Sequence, residues 1–163
     1  MRLALETATD HASVALGTSA ADALERELAG ARRQAAGLLP MIDAVLREAG
    51  ATLDDVTALV LSDGPGSFTG LRVGAAVAKA LVQARGFPLW IAPSLMVRAR
   101  GVSHPGSTVL AVADALRGEL YAAAYRFEEV RDWEPVYGRP AEAQARWEAA
   151  HGRPLPDSIG SPG

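Results

Sequence analysis

The chain has 163 residues, 49% of them hydrophobic, and a formal net charge of −3. That suffices for one ordinary core or two small packed lobes, and it disfavours a continuous basic surface for tracking phosphates. The absence of cysteine excludes disulfides, thiolate catalysis and thiolate metal sites. His11, His104 and His151 are too scattered to form a local ligand pair. No apolar run approaches the roughly 18 residues of a membrane span, and charges at Arg2 and Glu6 interrupt the start before a signal-peptide core develops. The expectation is a soluble, cytoplasmic protein without a metal centre or membrane contact.

Leu3 to Ala8 and Ala12 to Leu16 are short apolar runs separated by polar Thr9-Asp10-His11, and they read as a hairpin. A third run, Leu24 to Leu28, alternates with Glu25 and Glu27 and adds an antiparallel strand. From Arg32 to Ala49, Leu38, Ile42, Val45 and Ala49 recur at helical spacing, and Gly50 is a stop. Pro40 either begins this helix at its first turn or kinks a longer one.

Thr57 to Leu61 reads as a compact strand, Asp63 to Gly70 turns the chain, and Leu71 to Arg85 forms a second helix ended by Gly86. Leu89 to Ile91 is a further strand. This order, with parallel pairing and right-handed crossovers, is an α/β arrangement over residues 1–93. A second lobe over 94–163 is expected to hold a helix from Ser94 to Arg100, a His104-Pro105-Gly106 turn, and strands Val109 to Ala113 and Leu120 to Phe127. Trp133 to Tyr137, a helix from Ala141 to Ala150 and an irregular tail follow.

The loudest motif is the turn Gly64, Pro65, Gly66, Ser67, Phe68, Thr69, Gly70. Strand, glycines and helix start make a natural anion cradle. Yet a phosphate-binding P-loop needs a Lys that is absent, and a dinucleotide fingerprint needs Gly where Thr69 stands. No acidic residue about twenty positions on completes a ribose site. The turn is therefore read as structural: Pro65 fixes one dihedral, and Ser67 or Thr69 caps the helix at about 1 kcal/mol. Arg72 faces the positive end of the helix dipole at a cost of roughly 0.3–1 kcal/mol. Glu6 and Asp63 end neighbouring parallel strands, so a structural ion pair from one of them to Arg72 is expected.

The stretch Gly64 to Gly74 resembles the signature of the TsaB (YeaZ-like) family. Leu3 to Thr9 with Ser13 to Leu16, then Leu38 to Ile42, then Val112 to Tyr121 are similar to further segments of that family in the same order. The resemblance implies a degenerate actin-like ATPase fold of the ribonuclease H-like class: two lobes about a cleft, the second abbreviated or the chain a fragment. Glu6 stands where the family has Asp, Gln34 near a common His, and Leu116 in place of a basic residue.

In this fold Asp114 would end a strand and face Glu6 across the cleft, the arrangement for Mg-ATP. Glu6-Thr7-Ala8 and Asp114-Ala115-Leu116 lack the glycines of active relatives, so no cofactor is expected. The second helix carries Leu71, Gly74, Ala75, Ala78 and Leu81, with Val73, Val77 and Ala80 opposite, and reads as buried all round. The resemblance implies a partner for it, since TsaB proteins dock on TsaD through the two helices of the first lobe and homodimerise through the same region. Leu38, Leu39, Ile42 and Val45 supply the first helix's share.

The function implied is a non-catalytic scaffold for tRNA threonylcarbamoyladenosine modification. Its partners would be a TsaD-type catalytic subunit and a TsaE-type ATPase, with tRNA met only indirectly. The rivals are an ATP-dependent kinase or metalloprotease of the same fold, and a free-standing nucleotide sensor.

Overall fold

The computed structural model describes residues 1–30 and 33–127; the segments 133–137, 141–150 and the tail lie outside the described residues. The chain opens with β1 (Arg2–Glu6), β2 (His11–Gly17) and β3 (Leu24–Ala29), followed by α1 (Gln34–Glu48). A single 3₁₀ turn, Leu53–Asp55, then leads to β4 (Ala58–Ser62). Next come α2 (Phe68–Arg85), β5 (Leu89–Ala92), α3 (Ser94–Val102), β6 (Thr108–Leu116) and β7 (Glu119–Arg126).

The first five strands form one sheet in the order β3-β2-β1-β4-β5. β1 pairs antiparallel with β2 and parallel with β4, and β4 pairs parallel with β5. Alternation along these strands sends Leu3, Leu5, Val14, Leu16, Leu59 and Leu61 to one face, where α1 and α2 cover them. Leu38, Ile42, Val45 and Ala78 are buried in that same core. The opposite face carries smaller side chains, among them Ala4, Ala15 and Val60, each half-buried.

Local chemistry fixes the ends. Gly86 takes the left-handed conformation at φ 69° and closes α2 with a hydrogen bond donated by its amide to the Val82 carbonyl. Thr52 and Asp55 make a reciprocal capping box ahead of β4. Pro40 lies seven residues into α1, so α1 begins well before it. The carbonyl that Pro40 leaves without an amide partner belongs to Ala36, which is exposed to solvent.

β6 and β7 make a separate antiparallel pair joined through Leu116 and Arg117, both at positive φ, and Gly118. β6 runs on through Asp114, with an irregularity between Asp114 and Leu116, instead of stopping at Ala113. Asp114 is therefore a residue within a strand, not its end. Both sheets belong to one compact unit, Met1–Phe127. Among the described residues, no helix is long and apolar enough to cross a membrane.

Candidate functional site: the glycine turn and the two-helix face

The turn after β4 is held from two sides. The Gly64 amide donates to Ser94 Oγ at 3.0 Å, and the Ser94 amide donates back to the Gly64 carbonyl at 2.8 Å. Ser94 is buried, so this reciprocal pair ties the turn to the first residue of α3. The Gly64–Pro65 bond is cis. On the other side the Ser67 amide donates to the Ala8 carbonyl at 2.6 Å, and Ser67 Oγ accepts from the Gly70 amide at 3.2 Å, capping α2.

The glycines of the motif stand where the end of β1 passes. A β-carbon at Gly66 would lie 2.1 Å from the Ala8 carbonyl oxygen, one at Gly70 would lie 2.0 Å from that of Thr7, and one at Gly74 would lie 2.3 Å from Thr7 Oγ1. Positions 70, 74 and 78 are four apart on α2 and form one buried stripe, and Gly70 and Gly74 bring the start of that stripe directly against the residues that follow β1. Gln34, at the start of α1 and buried, donates from Nε2 to the Thr9 carbonyl and closes the same junction.

A Mg-nucleotide, which an actin-like fold implies, does not fit this junction. The Ser67 and Gly70 amides at the start of α2 already have partners in the chain itself. The space a phosphate needs beside Gly66 and Gly70 is filled by the backbone of residues 7 and 8. The Ala8 amide is likewise engaged, donating to Glu6 Oε1 at 2.5 Å.

Two expectations for the charged residues are corrected. Arg72 does not pair with Glu6 or Asp63; its guanidinium lies 5.3 Å from the centroid of the Phe68 ring, one helical turn earlier. Nor do Glu6 and Asp114 share a cavity. Asp114 lines a cleft of about 750 Å³ with Thr9, Asp10, Arg98, Tyr121 and the glycine turn, whereas Glu6 lines a smaller cavity on the sheet face opposite α1 and α2, bordered by Val97 of α3. Asp63 is exposed and borders a third hollow with Phe68 and Arg72. Asp10 and Arg98, the charged neighbours of Asp114 in the cleft, carry no local sequence motif. The polar Thr9-Asp10-His11 interruption between two apolar runs is the signal that places Asp10 at a strand-edge turn.

α2 is not buried all round. Gly74 and Ala78 are buried, and Leu71, Val73, Ala75, Val77 and Leu81 are half-buried, but Ala76 and Ala80 are exposed. On α1, Leu38, Ile42 and Val45 are buried and Leu39 is 57% exposed. Leu39 and Phe68, the latter 73% exposed, are the large apolar side chains that these two helices present outward among the described residues.

A family model described as TsaD, tRNA N6-adenosine threonylcarbamoyltransferase, matches residues 27–145. The chain is 36% identical over 153 residues to the tRNA threonylcarbamoyladenosine biosynthesis protein TsaB of Escherichia coli, covering 93% of this chain and 64% of that protein. It is 39% identical over 131 residues to the TsaB of Haemophilus influenzae, covering 79% of this chain and 55% of that protein. The solved structure of YeaZ from Pseudomonas aeruginosa superposes with a TM-score of 0.71 at 34% identity, covering 78% of this chain and 61% of that one. The chain thus spans roughly three fifths of the length of these relatives. The turn, the sheet order and these likenesses agree, and the chain belongs to the TsaB (YeaZ-like) family of tRNA threonylcarbamoyladenosine biosynthesis proteins.

Proposed function

We propose that this chain is a non-catalytic scaffold that binds a TsaD-type catalytic subunit through α1 and α2 and holds it in its active arrangement for tRNA threonylcarbamoyladenosine modification beside the anticodon. The observation that carries this reading is the glycine stripe. The residues that would cradle phosphate in an ATPase of this fold instead bring α2 against its own β1 terminus, so the motif serves to place a helix. Leu39 of α1 and Phe68, Ala76 and Ala80 of α2 are exposed, and Leu71, Ala75 and Leu81 are half-buried beside them, apolar surface of the kind that pairs with helices of another chain.

In this reading residues 1–93 form the docking lobe and 94–163 belong to a second lobe. A TsaE-type ATPase completes the assembly, tRNA is contacted through the partners, and the complex works in the cytoplasm. Where the catalytic subunit is scarce, the same helix face joins two copies of this chain.

Calorimetry with Mg-ATP and size-exclusion with a TsaD-type subunit test the proposal together. Dissociation from nucleotide at about 1 mM or weaker, with a stable complex between subunits, is the expected result. A nucleotide dissociation constant below about 10 μM, stronger by roughly 2.7 kcal/mol, would overturn the non-catalytic reading, and failure to co-elute would overturn the docking.

A further inference from the structure

The two helices of the docking face use their charges differently. On α1 both carboxylates are committed within the chain: Asp43 pairs with Arg47 one turn on, and Glu48 pairs with Arg26 of β3. α2 contains no Asp or Glu at all. Of its three cations, Arg85 in the last turn pairs with Asp54. Arg72 lies over the Phe68 ring, and neither it nor Lys79 forms an ion pair among the described residues. Asp63, exposed at the foot of α2, borders the same hollow as Arg72 without pairing with it.

Seven residues apart, Arg72 and Lys79 stand on one face of α2, two turns and about 10 Å apart along the axis. Phe68, Ala76 and Gln83 share that face, and all five residues are exposed. The chain as a whole has a net charge of −3, so this positive, otherwise largely apolar strip runs against the overall balance. Two copies of the chain meeting through it would form an isologous contact, each setting its Arg72 and Lys79 against the same two residues of the other. Four cations would then share one seam, with no carboxylate on α2 to offset them and those of α1 already paired.

We infer that this face selects a partner helix carrying carboxylates about 10 Å apart among small and aliphatic residues, and that Arg72 and Lys79 thereby place pairing with the catalytic subunit ahead of pairing between two copies. The inference rests on the helix-face docking proposed above and adds the chemistry of the partner's surface. Opposite charges across an interface steer encounter and fix the partner, and like charges across it exclude the wrong one. The two assemblies therefore respond to salt in opposite directions. Screening weakens the contact with the catalytic subunit and strengthens the contact between copies.

The test measures both associations of the full chain, with a TsaD-type subunit and with itself, by sedimentation between about 0.05 and 0.5 M sodium chloride. The mixed complex is expected to weaken about ten-fold or more across that range while self-association tightens. Lys79→Glu, at an exposed position, is expected to leave the unfolding midpoint unchanged, to weaken the mixed complex about ten-fold and to strengthen self-association. Lys79 is the one lysine of the chain, so amine labelling reads this face at a single side chain. It should label readily in the dilute isolated chain and be protected in the mixed complex. A mixed complex that forms equally at both salt concentrations, or that tolerates Lys79→Glu, would overturn the charge selection and leave the docking reading standing. Absence of any mixed complex at low salt would overturn both. Protection of Lys79 in the dilute isolated chain would show the strip covered by the chain itself and would overturn the inference.

Discussion

Gly70 lies so close to Thr7 that a β-carbon on it would stand 2.0 Å from the Thr7 carbonyl oxygen and 2.8 Å from Gln34 Oε1. Neither neighbour can retreat easily. The carbonyl belongs to the backbone just past β1, and Gln34 is buried and bonded to the Thr9 carbonyl. Gly70→Ala should therefore cost about 2 kcal/mol or more, as overpacking against backbone does. Gly101, in the last turn of α3, has nothing within 4 Å of an added β-carbon, and Gly101→Ala should stabilise by about 0.5 kcal/mol through reduced freedom of the unfolded chain. Urea unfolding of the two variants checks the contrast; equal and small effects would show that the glycine stripe does not set the position of α2.

Arg72 and Phe68 are four apart on α2 and stack in solvent. An exposed cation–π contact contributes about 0.5–1 kcal/mol, and the unfavourable place of a cation near the helix start offsets roughly 0.3–1 kcal/mol of it. Arg72→Ala should change unfolding stability by less than about 0.5 kcal/mol. A loss above about 1.5 kcal/mol would require a charge-assisted bond that this geometry does not contain.

The order of strands and helices was legible because each element of the large sheet carries its own signal: alternation in β1 to β3, Gly50 and Gly86 at helix ends, and the turn after Ser62. Which way α2 faces was not, since it has small or β-branched residues on every side. Spacing alone does not tell a close-packed stripe at Gly70, Gly74 and Ala78 from an outward one. The partner of Arg72 was misread for a related reason. The dipole argument calls for compensation, and a carboxylate was sought at neighbouring strand ends, while the aromatic face four residues earlier lay on the same helix surface. Glu6 and Asp114 were set opposite one another by the resemblance, and the register of β6 and the sheet face of Glu6 separate them.

Asp22 accepts four hydrogen bonds, from the hydroxyl and amide of Ser19, both at 2.6 Å, and from the hydroxyl and amide of Thr18 at 2.7 and 2.9 Å. These bonds, those from the Ser19 hydroxyl foremost, hold its carboxyl well below the ordinary carboxylate range. Because the folded value is depressed, the ionised group contributes stability that is complete above the unfolded value of about 3.9 and is lost as pH falls toward the folded one. The difference in unfolding midpoint between the native chain and Asp22→Asn should be constant from about pH 7 to 5 and shrink below about pH 4. Carboxyl carbon shifts should show no Asp22 midpoint between about pH 3 and 5. A midpoint there would mean that the turn between β2 and β3 is not bonded in solution.

The docking face is tested by two substitutions that its geometry separates. Ala78 is fully buried in the chain's own core, so Ala78→Arg forces a charge against β-strand side chains and should abolish folding; it cannot report on a partner. Leu39 projects from α1 and is 57% exposed, so Leu39→Arg should leave the unfolding midpoint within about 0.5 kcal/mol of the native chain. If α1 and α2 form a helix bundle with the catalytic subunit, Leu39 is the large apolar side chain of α1 available as an anchor, and an arginine there costs complex formation about 2 kcal/mol or more, near thirty-fold in affinity. Size-exclusion of Leu39→Arg alone and mixed with a TsaD-type subunit, followed by a threonylcarbamoylation assay on tRNA, reads both effects. A folded variant that still binds and still supports modification would remove α1 from the interface. The search would then move to Phe68, the other large apolar side chain exposed on these helices, where Phe68→Glu gives the corresponding loss if the contact is centred on the start of α2.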